Sequence, residues 1–250
     1  MTPLEMVAVL AAGVAGGGIN AVVGNGSLIT FPTLLAVGLP PITANVSNNI
    51  GLVPGGITGV MGYRPELKGQ RERLLRLAPA SVVGSLAGGL LLLTLPESSF
   101  NVIVSVLIAM SCALVLIQPK LSSLLAARPG REHGGPWLWL GTLAAGAYGG
   151  YFGAGQGILV IGLMGIMLDE KLQRINAAKN VLVLLVNFTA AVLYALVADV
   201  DWQAVLLVAL GSTMGGFLGA RVGRKLPATI LRGAIVCIGV VAIVKLLAQP

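Results

Sequence analysis

Charged side chains make up only 10% of this 250-residue chain, where a soluble domain carries about 25%. Residues 6–63 contain none at all, and the runs 77–95, 98–119, 134–168, 180–198 and 202–220 also lack Asp, Glu, Lys and Arg. A helix that crosses a bilayer needs roughly 20 mostly apolar residues, so several runs are long enough to cross and some to cross twice. A water-soluble fold of this length cannot hide so much apolar surface. Hydrophobic residues are 56% of the chain and the mean hydropathy is +0.92. The chain is expected to be integral to a membrane, with the lipid bilayer as its first partner.

The other scarcities narrow the chemistry. No Asp or Glu falls within the charge-free runs, and His133 is the one histidine. That weakens a cation carrier and removes an obvious proton relay through the spans. It also leaves no Ser/His or metal constellation from which to build an enzyme, so no catalytic residue, metal or cofactor is expected. His133 reads as a solvated loop residue. The two cysteines, Cys112 and Cys237, both lie in apolar runs at non-equivalent places; packing is the expected role, not a disulfide or metal site. The N-terminus lacks the Lys/Arg start of a secretory signal, and its apolar segment does not stop at a cleavage-like site, so it reads as retained. A net charge of +7 would suit nucleic acid. The basic residues, however, sit at the ends of apolar spans and not on one soluble face, so no nucleic-acid partner is expected.

What the chain does contain is a duplication. At a constant offset of 131, Asn45 pairs with Asn176, Asn49 with Asn180, Thr58 with Thr189 and Tyr63 with Tyr194. Ser81 then meets Ser212, and Gly84, Gly88 and Pro96 meet Gly215, Gly219 and Pro227. Upstream, Gly17, Gly24 and Gly26 match Gly146, Gly153 and Gly155 at offset 129, so the second copy is longer near Asp169. Leu and Ala matches count for little in such a sequence; Asn, Tyr and Pro in one register count for more.

The loops of the two copies carry opposite charge. After Tyr63 come Arg64, Lys68, Arg71, Arg73 and Arg76, but after Tyr194 only Asp199 and Asp201. After Pro96 stands Glu97, whereas Arg221, Arg224, Lys225 and Arg232 surround Pro227. Cytoplasmic loops carry the excess of Lys and Arg. Placing 63–76, 119–136, 169–174 and 221–232 in the cytoplasm accounts for all but Lys179 and Lys245 of the 16 basic residues. The expected fold is therefore an all-α membrane protein of two inverted-topology repeats, 1–118 and 137–250, joined by a cytoplasmic linker at 119–136. Each repeat begins with a glycine-broken apolar element, at 6–38 and 137–168. Three spans follow: 42–62, 74–95 and 99–118 in the first, and 175–197, 203–222 and 229–248 in the second. Three is odd, so each broken element must cross an even number of times for the halves to invert. A re-entrant hairpin and a pair of short helices both satisfy this. Both termini then fall on the non-cytoplasmic side.

Broken helices inside a bilayer are tolerated only where the freed backbone groups face protein or a water-filled cavity. Transporters with inverted repeats aim such half-helix N-termini at anions near the midplane. The breaks here are Gly24-Asn25-Gly26-Ser27 and Gly153-Ala154-Gly155-Gln156-Gly157. On the next span Asn45, Asn48 and Asn49 share one helical face, and Asn176, Lys179 and Asn180 repeat that spacing. The candidate binding set is Asn25, Gly26, Ser27, Asn45, Asn48, Asn49, Gly155, Gln156, Gly157, Asn176, Lys179 and Asn180, around a small anionic substrate. Three plainer readings stand beside it: close packing for the glycines, interhelical bonding for the asparagines, and snorkelling to the interface for Lys179. Gly84-xxx-Gly88, Gly211-xxx-Gly215 and Gly219-xxx-Gly223 are expected to pack helices within the bundle, with a homodimer seam as the second reading. A passive anion channel built on the same half-helix tips is the alternative to a carrier.

At these residues the chain resembles the sulfite/organosulfonate exporter family TauE/SafE. The likeness rests on Gly17-Gly18, Gly24-Asn25-Gly26-Ser27-Leu28-Ile29, Gly38-Leu39-Pro40-Pro41, and Ala44 leading into Ser47-Asn48-Asn49. The family's first copy more often ends that last motif in Thr-Asn-Lys; here Asn49 stands in the final place. The resemblance implies a multi-pass permease of the bacterial inner membrane. It would move sulfite, sulfoacetate or a related sulfonate, often outward. The paired breaks and inverted loop charges, for their part, lead us to expect alternating access around a midplane site.

Overall fold

Each broken element consists of two helices joined at its glycines, an arrangement common to both expectations. The computed structural model describes residues 1–96, 103–113, 116–117 and 135–222. Among them the chain runs through α1 (Pro3–Val22), α2 (Ser27–Ala36), α3 (Pro41–Gly62), a short 3-10 turn (Arg64–Leu67) and α4 (Arg71–Thr94). α5 (Ile103–Ala113) follows, then α6 (Pro136–Tyr151), α7 (Gln156–Met167), α8 (Leu172–Val197) and α9 (Trp202–Val222). The expected span at 229–248 and nearly all of the 119–136 linker lie outside the described residues.

Local chemistry sets the element ends. Thr2 and Glu5 close a capping box at the head of α1, with Pro3 in the first helical position. This satisfies orphan N–H groups and gives the early acidic residue a structural place. α1 ends where Val23 and Gly24 both donate to the carbonyl of Ile19, and α6 ends where Phe152 and Gly153 both donate to that of Tyr148. Gly24 and Gly153 take φ of 87° and 80° there, a conformation that glycine reaches without a Cβ penalty. The two copies stop their first helix in the same way, at positions 129 apart.

Helices α1, α4, α8 and the Trp202–Arg221 part of α9 are each long and apolar enough to cross a bilayer. α3 has the length, at 22 residues, or about 33 Å at ~1.5 Å per residue. Its asparagines hold down its hydropathy. The bundle is small and polar inside and aliphatic outside. On α4, Ser81, Gly84, Ser85 and Gly88 are buried while Val83, Leu86, Leu90 and Leu91 are exposed; on α9, Ser212 and Gly215 are buried while Leu206, Leu210, Met214 and Leu218 are exposed. Such a surface suits lipid, where Leu gains nothing by hiding and small residues let backbones approach. Trp137 and Trp202 stand exposed at the starts of α6 and α9, as interfacial anchors do.

The glycine pairs form seams within the chain. A Cβ on Gly84 or Gly88 would collide with the carbonyls of Leu143 and Ala147 on α6, and one on Gly215 or Gly219 with those of Val14 and Gly18 on α1. These contacts repeat at the same offsets as the sequence. Each seam joins a helix of one copy to a helix of the other. As a result α1, α2, α3 and α9 pack together, as do α4, α6, α7 and α8, and the main helix contact between the two groups is α3 against α8.

Loops gather by charge. Tyr63, Ala177 and Ala220 share one buried cluster, so the end of α3, the start of α8 and the end of α9 lie together. Arg174 donates to the carbonyl of Lys68 at 2.9 Å and Gln70 donates to that of Arg174 at 2.9 Å. Glu170 accepts from Arg73 at 3.2 Å and from Arg174 at 2.7 Å. The acidic 199–201 loop lies at the far end of α3, where the Asp201 N–H donates to the Ser47 hydroxyl at 3.0 Å. Burial alone would raise the Glu170 carboxyl, but Arg174 and then Arg73 outweigh it and hold the group below the usual carboxylate value. With a folded-state pKa below the unfolded one, the clamp's contribution is present above the unfolded value and lost as pH falls through the folded one. The thermal midpoint of the detergent-purified protein should exceed that of Glu170→Gln at about pH 7 and converge with it near pH 3. A constant gap over that range would show that the carboxylate charge is not what holds these loops.

Candidate functional site

The two glycine breaks meet. The N–H of Gly157 donates to the carbonyl of Gly24 at 3.3 Å. A Cβ on Gly24 would come within 2.5 Å of the Gly157 Cα, and one on Gly157 would collide with the Gly24 Cα. Sequence spacing gave no hint of this pairing, since Gly24 aligns with Gly153 and not with Gly157. Positive φ belongs to Gly24, Gly153 and Gly155. Gly26 and Gly157 are needed for closeness instead, Gly26 lying against the Gly16 carbonyl. Beside the break, the rings of Phe31 and Phe152 meet edge to face at 5.3 Å.

Lys179 crosses this contact. Its Cδ lies 3.3 Å from a Cβ placed on Gly24 and 3.0 Å from one placed on Gly157. The residue is 0% exposed, and its Nζ donates to the carbonyl of Asn20 at 3.1 Å. Snorkelling to the interface does not occur. No carboxylate faces the ammonium among the described residues, and an ammonium has three donors. A buried charge with so little compensation is expensive, and intramembrane examples mark solute or ion paths.

The asparagines occupy the expected faces but divide their tasks. Asn176 and Asn180 both donate from Nδ2 to the carbonyl of Ala21, at 3.4 and 3.1 Å, and Asn45 donates to that of Tyr151 at 3.0 Å. These carbonyls end α1 and α6 and have no partner within their own helix. Part of the interhelical reading is thus correct, because the amide nitrogens tie down the broken ends. The Tyr194 hydroxyl does the same for Gly150, which the matched tyrosines alone did not reveal. The other sides of the amides stay open. Asn25 is 0% exposed and bonds through neither amide atom, and the carbonyl oxygens of Asn48, Asn49, Gln156 and Asn176 are likewise buried without a protein partner. Gly26 and Gly155 are buried beside them and Ser27 is half-buried. The backbone N–H groups of Asn25, Gly26 and Ser27 make no hydrogen bond to the described residues. Unpaired buried amides cost about 1–3 kcal/mol each. Those of Asn25 and Gln156 belong to the two break sequences themselves.

A separate groove of about 350 Å³ lies between α4, α5 and α6, lined by Gly88, Leu91, Leu95, Ile103, Leu107, Tyr148 and Tyr151 among others. Its wall is almost wholly apolar and offers little to an anion.

The chain is similar throughout its length to curated membrane proteins. It is 25% identical over 248 residues to the probable membrane transporter protein YfcA of Escherichia coli K12, covering 99% of this chain and 91% of that one. A probable membrane transporter protein of Haemophilus influenzae is 25% identical over 221 residues, covering 87% and 85% of the two chains. One from Sinorhizobium, ORF9, is 24% identical over 239 residues, covering 94% and 89%. No solved structure matches the chain. Residues 9–246 match the sulfite exporter TauE/SafE family. With four helices among the described residues long and apolar enough to cross a bilayer, the chain belongs to that family of membrane transporters.

Proposed function

We propose that the chain is a secondary transporter of the bacterial inner membrane for a small sulfur-containing anion, such as sulfite, sulfoacetate or another organosulfonate, working outward by alternating access. The observation that carries this reading is Lys179, buried across the joined breaks with a single carbonyl for company. Helix capping alone does not call for that charge, because the neutral Asn45 and Tyr194 close the equivalent end of α6. A solute oxyanion would supply the missing counter-charge. The free N–H groups at the head of α2 and the open amides of Asn25 and Gln156 would bond its oxygens.

Opposite orientation of the two copies is supported by their loops. The basic 63–70 segment sits with the start of α8, while its counterpart at 199–201 sits beside Ser47. Ser47 and Tyr63 are separated by about 24 Å of helix at ~1.5 Å per residue. α1 ends level with Lys179 and returns through a helix of only 10 residues, which favours a re-entrant hairpin. The moving bodies are then not the sequence halves. The glycine seams lock α9 to α1 and α4 to α6, so rocking would take place between the exchanged groups, across the α3–α8 contact and the joined breaks.

Proteoliposomes loaded with unlabelled ethanesulfonate should take up labelled ethanesulfonate faster than empty ones, because a carrier returns loaded. Flux that is indifferent to the internal solute and follows only the membrane potential would replace the carrier by a channel.

A further inference from the structure

We propose that the site accepts solutes of a single negative charge and that the residue pair Asn48 and Lys179 sets this valence. The inference rests on the anion-site reading above. At offset 131 Asn48 is the counterpart of Lys179. Each stands three residues after an asparagine that holds the end of a broken helix, Asn45 on Tyr151 and Asn176 on Ala21. Asn48 and Lys179 therefore hold equivalent places on the facing helices α3 and α8, one turn further along each. Both are buried, at 1% and 0% exposure. One copy contributes an ammonium. The other contributes a neutral amide whose oxygen is unpartnered.

The rest of the wall is neutral: Asn25, Ser27, Asn49, Gln156 and Asn180 carry no charge, and no acidic residue occurs in the apolar runs. Amide and N–H donors can satisfy a sulfonate's oxygens but cannot balance its charge. A monoanion cancels Lys179. A dianion leaves one uncompensated negative charge among buried side chains, which is unfavourable. Hydrogen sulfite and monosulfonates fit this balance; sulfate does not, and the inference removes sulfoacetate from the solutes proposed above.

Two nearly isosteric solutes isolate charge from shape: sulfoacetamide, carrying one negative charge, and sulfoacetate, carrying two. Binding of each to the purified full-length protein, by calorimetry at neutral pH, should favour sulfoacetamide by about a hundredfold or more. Asn48→Lys should move the ratio toward sulfoacetate, and Asn48→Lys with Lys179→Asn should restore the preference for sulfoacetamide. Equal binding of both solutes by the unaltered protein would overturn the valence inference while leaving the anion site intact, and that measurement needs no variant. An unchanged ratio in a folded Asn48→Lys protein would remove Asn48 from it. Failure of both anions to bind, with a neutral or cationic solute binding instead, would overturn the anion reading together with the inference.

Discussion

Lys179→Met should abolish sulfonate flux, by a factor of a hundred or more, while leaving the protein folded. The methionine stem fills nearly the same space against Gly24 and Gly157, so the joined breaks keep their packing. The Asn20 carbonyl loses its donor, a cost of about 1–3 kcal/mol. Against this, a fully buried ammonium is no longer held out of water, and that relief is larger. The thermal midpoint in detergent should therefore hold or rise. Lys179→Arg should not rescue flux, because a planar guanidinium needs a different and wider seat than a stem lying between two glycine backbones. Lost flux with a held or raised midpoint separates a solute-binding charge from a structural one. If Lys179→Met transports within threefold of the unaltered protein, the ammonium is not the counter-charge and the site must be sought elsewhere.

Much of this arrangement could be read from the residues, for a physical reason. In a bilayer every freed backbone group and every charge must be accounted for, so their placement is tightly constrained. The breaks at Gly24 and Gly153–Gly157, the Asn face of α3 and α8, and the grouping of the 64–76 and 169–174 loops all followed from that accounting. The partners did not. Asn20 offers Lys179 only a backbone carbonyl, which no side-chain pattern reports. The Gly24–Gly157 contact joins positions that the duplication does not equate. The regrouping of α4 and α9 was invisible as well, because a Gly-xxx-Gly pair announces close approach without naming the helix that approaches. The division of the asparagine amides between holding helix ends and facing the break depends on which atom meets which carbonyl. Spacing alone cannot supply that.

The seams themselves carry the second large effect. Gly215→Leu should prevent recovery of a monodisperse folded protein. A Cβ at that position collides with the Val14 carbonyl and lies 2.8 Å from both the Gly18 nitrogen and the Val14 carbonyl carbon. These are backbone atoms of α1, which cannot rotate aside as a side chain would. The remedy is to separate α1 from α9, which opens Gly211 and Gly219 along the same seam. Gly215→Ala meets the same atoms with less bulk and should cost about 1–3 kcal/mol, the usual range for overpacking. Gly84→Leu should fail in the same manner, since Gly84 is the counterpart of Gly215 and faces the Leu143 carbonyl as Gly215 faces that of Val14. Leu218→Val, on the lipid side of α9 at 49% exposure, should leave yield and midpoint within about 0.5 kcal/mol of the unaltered protein. Size-exclusion profiles of the four proteins decide the matter. A monodisperse Gly215→Leu peak with an unchanged midpoint would mean that α1 and α9 are not in contact, and the exchanged pairing of the two copies would fall with it.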